Sequence, residues 1–449
     1  MNVSTEMERF VFFDDMMRKG AEGVTKASME RGQLNRIRLH VMPTKRFKTF
    51  AIALYAGVPL AESSVTNAAL IPFVLRRGTA STPETKAFRE RLDDMYGAGF
   101  GFDVLKRGDS QIVQLRMDVI HDRFVSSGDS LLAASLRFLG EVVTDPALEN
   151  GAFRAKYVEA EKNTLKKKLE AIINDKIRYA AERCLEEMCE GEPYRLHALG
   201  RIEDLDGITP ESLHAYYQEW LQHATFDLYV CGDTTLDEVK ALVAESFKMP
   251  AGAPSLYGMP KTRYEAKEPK TVVERMEVGQ GKLNMGLRAN VGYSDPEYPA
   301  ALMYNGILGG YPHSKLFLNV REKASLAYYA ASRFDGHKGL LTVQSGIEID
   351  NYERATNIIK EQLSSMENGD INELEMSQTK AMIGNHLREL QDSAFEIIAF
   401  DFNSVLSGKQ RTAAGLLEAV EAVTKDDIVR VAKQVKLDTI YFLRDEKEA

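Results

Sequence analysis

The sequence predicts an α+β protein made of two duplicated domains, each an antiparallel-rich sheet with helices packed on one face. Three observations carry that expectation. Short runs of alternating apolar and polar residues are separated by long helical stretches. A proline-rich segment poor in large apolar residues divides the chain past its middle. The patterns before that segment return after it in the same order.

In the first half, Ile37, Leu39 and Val41 alternate with polar neighbours. Met42-Pro43-Thr44 turns the chain, and Phe50, Ile52, Leu54 and Ala56 alternate again. This predicts a hairpin with one buried face. Thr66 is the expected N-cap of a short apolar helix reaching Arg77, and Thr82-Pro83-Glu84 opens a second. Strands are expected over 100–104 and 112–119, with Gly108-Asp109 as their turn. Helices should fill 121–141 and most of 152–192, where the run Lys166-Lys167-Lys168 reads as a solvated face. Thr209-Pro210-Glu211 opens another helix, Phe226 to Val230 is a strand, and a helix then runs to Phe247.

The stretch from Met249 to Pro269 carries four of the chain's 14 prolines and reads as an exposed linker. Beyond it, Leu283, Met285, Leu287 and Ala289 repeat the Phe50–Ala56 alternation about 230 positions later. Ala300-Ala301-Leu302 with Gly310 repeats Ala68-Ala69-Leu70 with Gly78, and Leu341, Val343 and Ile347 repeat Val113, Leu115 and Val119. Thr424 to Leu443 repeats Thr209 to Val230. The expected division is an N-terminal domain over 1–248, a linker over 249–270 and a C-terminal domain over 271–449.

Composition narrows the function. The chain has 449 residues, 44% of them hydrophobic and 27% charged, as in a soluble globular protein of more than one domain. A net charge of −9 argues against a nucleic-acid partner. No apolar run is long enough to cross a bilayer. Met1 to Lys19 is acidic and lacks the apolar core of a secretory signal. Three cysteines, Cys184, Cys189 and Cys231, form no disulfide framework and read as buried thiols, so a reducing cytoplasm is expected.

One stretch stands out, Leu308-Gly309-Gly310 through Tyr329. It reads as a helix end, a glycine turn needing positive φ and close backbone approach, a second helix with Leu316, Phe317 and Val320 on one face, and a strand from Leu326. Arg321 and Tyr328 then flank a helix-to-strand junction, where a cation and a phenol can reach the carbonyls and carboxylates of an extended peptide. An ordinary ion pair for Arg321 and an ordinary strand position for Tyr328 stand as the alternative. His313 reads as a solvent-facing loop residue. Tyr304, Tyr311 and Tyr329 either line a peptide chamber or fill core.

The elements Asn305-Gly306-Ile307-Leu308-Gly309-Gly310 and Arg321-Glu322-Lys323-Ala324-Ser325-Leu326-Ala327-Tyr328 resemble the glycine turn and the REK-x-x-L-A-Y element of the insulinase/pitrilysin family of zinc peptidases, in the branch that includes mitochondrial processing peptidase. The resemblance covers nearly the whole chain. Active members carry H-x-x-E-H on the helix before the Gly-Thr step, here Gly78-Thr79: two histidines bind zinc and the glutamate is the base. The matching stretch here is Ala69-Leu70-Ile71-Pro72-Phe73, so both histidines and the base are replaced. The third-ligand position falls on Lys168, or on Glu170 if the register slips. No two of the eight histidines lie three or four apart, so a displaced helical motif is absent as well.

The resemblance therefore implies no cofactor on this chain, with zinc expected on a partner. It implies a subunit inactive on its own in a heterodimeric metallopeptidase, closing the chamber and positioning peptide with Arg321 and Tyr328 for an H-x-x-E-H-bearing homologue. The Gly97–Gly101 edge strand would offer its backbone to that peptide. The alternative is a scaffold or peptide-binding protein of the same fold with no role in proteolysis.

Overall fold

The computed structural model describes residues 28–126, 128, 130–250, 256–258, 261–265 and 268–446. The Met1–Lys19 stretch and parts of the expected linker lie outside the described residues.

Two sheets organise the chain. The first uses β1 (Glu30–Leu34), β2 (Ile37–Pro43), β3 (Thr49–Pro59), β4 (Gly99–Arg107), β5 (Ser110–Ile120) and, after a small ladder of β6 (Leu148–Glu149) with β7 (Ala152–Phe153), β8 (Thr225–Gly232). Its order is β1-β2-β8-β3-β5-β4. The second uses β9 (Lys270–Arg275), β10 (Gly281–Arg288), β11 (Ala327–Asp335), β12 (Leu340–Ile347) and β13 (Lys436–Arg444), ordered β9-β13-β10-β12-β11. Without β1 the two sheets are the same drawing. Each has one parallel pair, β2 with β8 and β9 with β13, and every other pairing is antiparallel. The repeated alternation in the sequence is the imprint of this duplicated topology.

Several local expectations need correction. β2 and β3 do not form a hairpin, because β8 inserts between them. The connection between them carries no two-residue turn of the Asn-Gly type that would force direct pairing. Thr66 does not cap helix Val65–Leu75. Ser64 holds that position, and the Thr66 hydroxyl donates to Asp204 at 2.6 Å instead. The second helix runs over Thr85–Asp94 with Glu84 at its N-cap, while Thr82 bonds Thr79. The helix expected from 121 begins at Leu131, where Ser130 caps it. By contrast, Thr209 and Thr424 both build capping boxes.

Most helices of each half cover one face of its own sheet. The opposite face of each sheet is met, among the described residues, by a helix from the other half. Helix Ala394–Ser407 lays Ala394, Ile398, Phe402 and Leu406 against Ala51, Ala53, Tyr55, Tyr229 and Cys231 of the first sheet. Helix Lys176–Met188 lays Ala180 and Cys184 against Tyr441 and Leu443 of the second. β3 is therefore buried on both faces, where the sequence pattern predicts one. The approach is close at Gly286, where a β-carbon would stand 2.6 Å from the Met188 sulfur. All three cysteines are free and buried, and burial pushes the Cys189 and Cys231 thiols up to about 12.

The described part of the expected linker is pinned at two tyrosines. Tyr257 donates to Asp227 at 3.0 Å and packs edge-on to Phe402. Tyr264 donates to Glu192 at 2.8 Å.

Candidate functional site

The sequence element around Arg321 folds as two wide helical turns and a bulged strand. Gly306–Gly310 and Phe317–Lys323 are π-helical segments, a form common at functional sites. Neither Gly309 nor Gly310 uses positive φ. Gly309 serves close approach alone, since a β-carbon there would stand 2.5 Å from the backbone nitrogen of Ser332. The chain turns into β11 through Ser325, a non-glycine residue at φ 51°, a sparsely populated conformation for such a side chain.

β11 is an edge strand, and the register against β12 shifts between Ala327 and Tyr329. Tyr328 is the extra residue of this bulge. Bulges re-aim side chains, and Tyr328 stands 64% exposed while Ala327 is buried and Tyr329 packs on Gly346. The Tyr328 hydroxyl donates to Glu348 at 2.8 Å, a contact that holds the phenol above its ordinary value. Arg321 is exposed and lies 4.5 Å over the Phe317 ring. It forms no ion pair among the described residues. The buried pair Lys315–Glu375 at 2.9 Å and the bond from Asn319 to Gln362 at 2.6 Å fix the segment beneath.

Two expectations nearby change. His313 is half-buried rather than solvent-facing, bonded to Thr379 at 2.9 Å and stacked on Tyr311. Burial holds its imidazole below the ordinary value. Tyr304 is core, at 2% exposure.

Helix Val65–Leu75 is apolar without interruption from Ala68 to Leu75, and such a run must be buried. Ala69, Pro72 and Phe73 are all buried within it. Phe73 meets Phe102 of β4 edge-to-face, with centroids 4.7 Å apart. Lys168, exposed on helix Ala155–Asn174, places its ammonium 5.9 Å over the Phe73 ring. The four positions that the family resemblance assigns to base and ligands thus include a methyl group, a ring, a proline and a cation. Of these only Lys168 bears a nitrogen beyond the backbone, and as an ammonium it has no lone pair to share. These residues do not fit zinc. Among the described residues, no group of three or more His, Cys, Asp or Glu side chains is placed to hold a metal.

Sequence reasoning missed what surrounds Phe73. Arg76 lies over both rings, 5.8 Å from Phe73 and 5.3 Å from Phe102. The Glu161 carboxylate is fully buried; the Arg77 guanidinium takes it at short range, and Arg76 reaches it at only 3.5 Å. No local pattern marks these groups, because they converge only once β4 and two helices are side by side. β4 is an edge strand, with its outer backbone groups unpaired in the sheet.

An apolar helix where a metal-binding helix is expected, together with a bulge-presented phenol on a duplicated scaffold, defines a peptidase fold without its metal-binding residues. The comparisons agree. Residues 207–383 match the Peptidase M16 inactive domain. The chain is 41% identical over 412 residues to the probable inactive metalloprotease YmfF of Bacillus subtilis, covering 91% of this chain and 96% of that one. It is 22% identical over 286 residues to the uncharacterized zinc protease YmxG of the same organism, covering 61% and 68%. A conserved protein from Enterococcus faecalis V583, solved by crystallography, superposes with a TM-score of 0.87 at 32% identity, covering 94% and 99%. The chain belongs to the M16 peptidase family, the insulinase/pitrilysin group that its motifs resemble, as an inactive metalloprotease-like member. Among the described residues no helix is long and apolar enough to cross a membrane.

Proposed function

We propose that this chain is the non-catalytic subunit of a heterodimeric zinc metallopeptidase in the cytoplasm. It closes the chamber and positions an extended peptide for a homologous partner that carries H-x-x-E-H and the zinc. Its working parts are an N-terminal domain over 1–248 and a C-terminal domain over 271–449, joined by the 249–270 linker.

One observation supports this reading above others. Ala69, Pro72 and Phe73 are absorbed into core, while Arg321 and Tyr328 are held outward on a bulged edge strand and its adjoining turn. Ordinary core and surface packing has no need of a 64%-exposed tyrosine on a bulge. The similarity to YmfF, described as an inactive metalloprotease, and to the zinc protease YmxG supports the division of labour.

The test mixes the chain with an H-x-x-E-H homologue from the same organism and follows cleavage of a quenched fluorogenic peptide. The expected outcome is turnover well above that of either chain alone. Equal turnover by the partner alone would end the proposal.

A further inference from the structure

The four positions that lack metal ligands border a cationic, aromatic-floored corner. The rings of Phe73 and Phe102 form the floor. The Lys168 ammonium stands over Phe73, and the Arg76 guanidinium, whose side chain is 41% exposed, stands over both rings. Glu161 does not neutralise them. Its carboxylate is buried against Arg77, its contact with Arg76 is 3.5 Å, and Lys168 forms no ion pair among the described residues. Counting Arg76, Arg77 and Lys168 against Glu161 leaves two positive charges in a chain whose net charge is −9.

The corner adjoins an unpaired strand edge. Phe102 is the fourth residue of β4, and a peptide added to that edge would place every second side chain on the face that carries Phe102. A side chain there passes the two cations. The apolar floor strips water from one side of the charges, which strengthens their attraction for an anion.

We infer that this corner is a carboxylate-binding subsite: the chain selects extended peptides that present an acidic side chain, or their own C-terminal carboxylate, to Arg76 and Lys168. The inference rests on the peptide-positioning reading above and adds a substrate class to it. On this view the corner recognises a negative charge on the peptide through Arg76 and Lys168.

The experiment uses the full chain and four fluorescein-labelled peptides of one alternating Val/Thr background. They carry Asp or Asn at the centre and a free or amidated C-terminus, and binding is read by anisotropy. The carboxylate peptides should bind about tenfold more tightly than the neutral one at low salt, and the advantage should shrink at about 0.5 M salt. The Asp and free-terminus arms separate the two sources of charge. Lys168→Gln with Arg76→Gln should bring all four peptides to parity, while Lys168→Arg keeps the preference; unchanged urea midpoints check folding. Equal binding of all four by the native chain would overturn the subsite and leave the peptide-positioning reading standing. Failure of every peptide to bind would overturn both.

Discussion

The Lys338 ammonium lies 2.6 Å from the Asp109 carboxylate, tying the turn after β11 to the turn after β4 across the two halves. Lys338 is 1% exposed and also meets Glu192 at 3.0 Å; Glu192 in turn takes Arg288 at 2.8 Å. Burial opposes the lysine charge, yet Asp109, Tyr264 and Glu192 hold its pKa above the ordinary value. Both edge strands, β4 and β11, run toward this junction, so it ties together the ends of the two edges.

Lys338→Met should therefore destabilise the protein by about 2–3 kcal/mol. This is below the range for a fully buried pair, because Asp109 stays a third exposed and Arg288 still serves Glu192. Urea unfolding measures it. A change under about 0.5 kcal/mol would show that the junction is held by packing alone.

Acidification should weaken the fold well before carboxylates titrate. His337 is buried, stacked on Tyr293 and bonded to Asn403 of helix Ala394–Ser407 at 3.0 Å. Burial lowers its pKa, outweighing Asp335, while nearby Arg107 acts in the same direction as burial. His197, His214 and His313 are lowered by burial as well. Between the ordinary histidine value of 6.5 and these lower folded values, the unfolded chain binds more protons than the folded one. Stability is thus full above that window and is lost as pH falls through it. Urea midpoints from pH 7.5 down to 5 should decline, and His337→Gln should flatten the decline; an unchanged slope would remove His337 from the account.

Phe73 should behave as core. Its side chain is 1% exposed and meets Phe102, so Phe73→Ala leaves a cavity and should cost about 3–5 kcal/mol. A loss below about 1 kcal/mol would mean the helix is loosely seated and Phe73 is open to solvent.

Much of this fold is legible in the sequence because its local patterns agree with the final structure. The Thr209 and Thr424 boxes, the β4–β5 turn and the repeated alternation all report it. What escaped depends on partners distant in sequence. The insertion of β8 between β2 and β3, and the burial of Ala51 and Tyr55 beneath Phe402, leave no mark on either segment alone. At the site, Ala69, Pro72 and Phe73 are readable as absences, since a missing donor atom needs no geometry. The bulge that aims Tyr328 and the convergence of Arg76, Phe102 and Lys168 are not, because each requires the register of a strand against its neighbours.

Arg321 and Tyr328 carry the sharpest functional test, because both are exposed and their loss should leave the fold intact. Among the described residues, Arg321→Ala gives up only its stacking on Phe317, and Tyr328→Phe only the bond to Glu348. Each should shift the urea midpoint by less than about 0.5 kcal/mol equivalent. In the mixture with the zinc-bearing homologue, each should lower kcat/KM for peptide by about tenfold through lost positioning. Glu348→Gln should fall between native and Tyr328→Phe, since a neutral acceptor still orients the phenol but more weakly. If the mixture is activated and none of the three variants changes its turnover, chamber closure remains as the role and peptide positioning by this element is excluded.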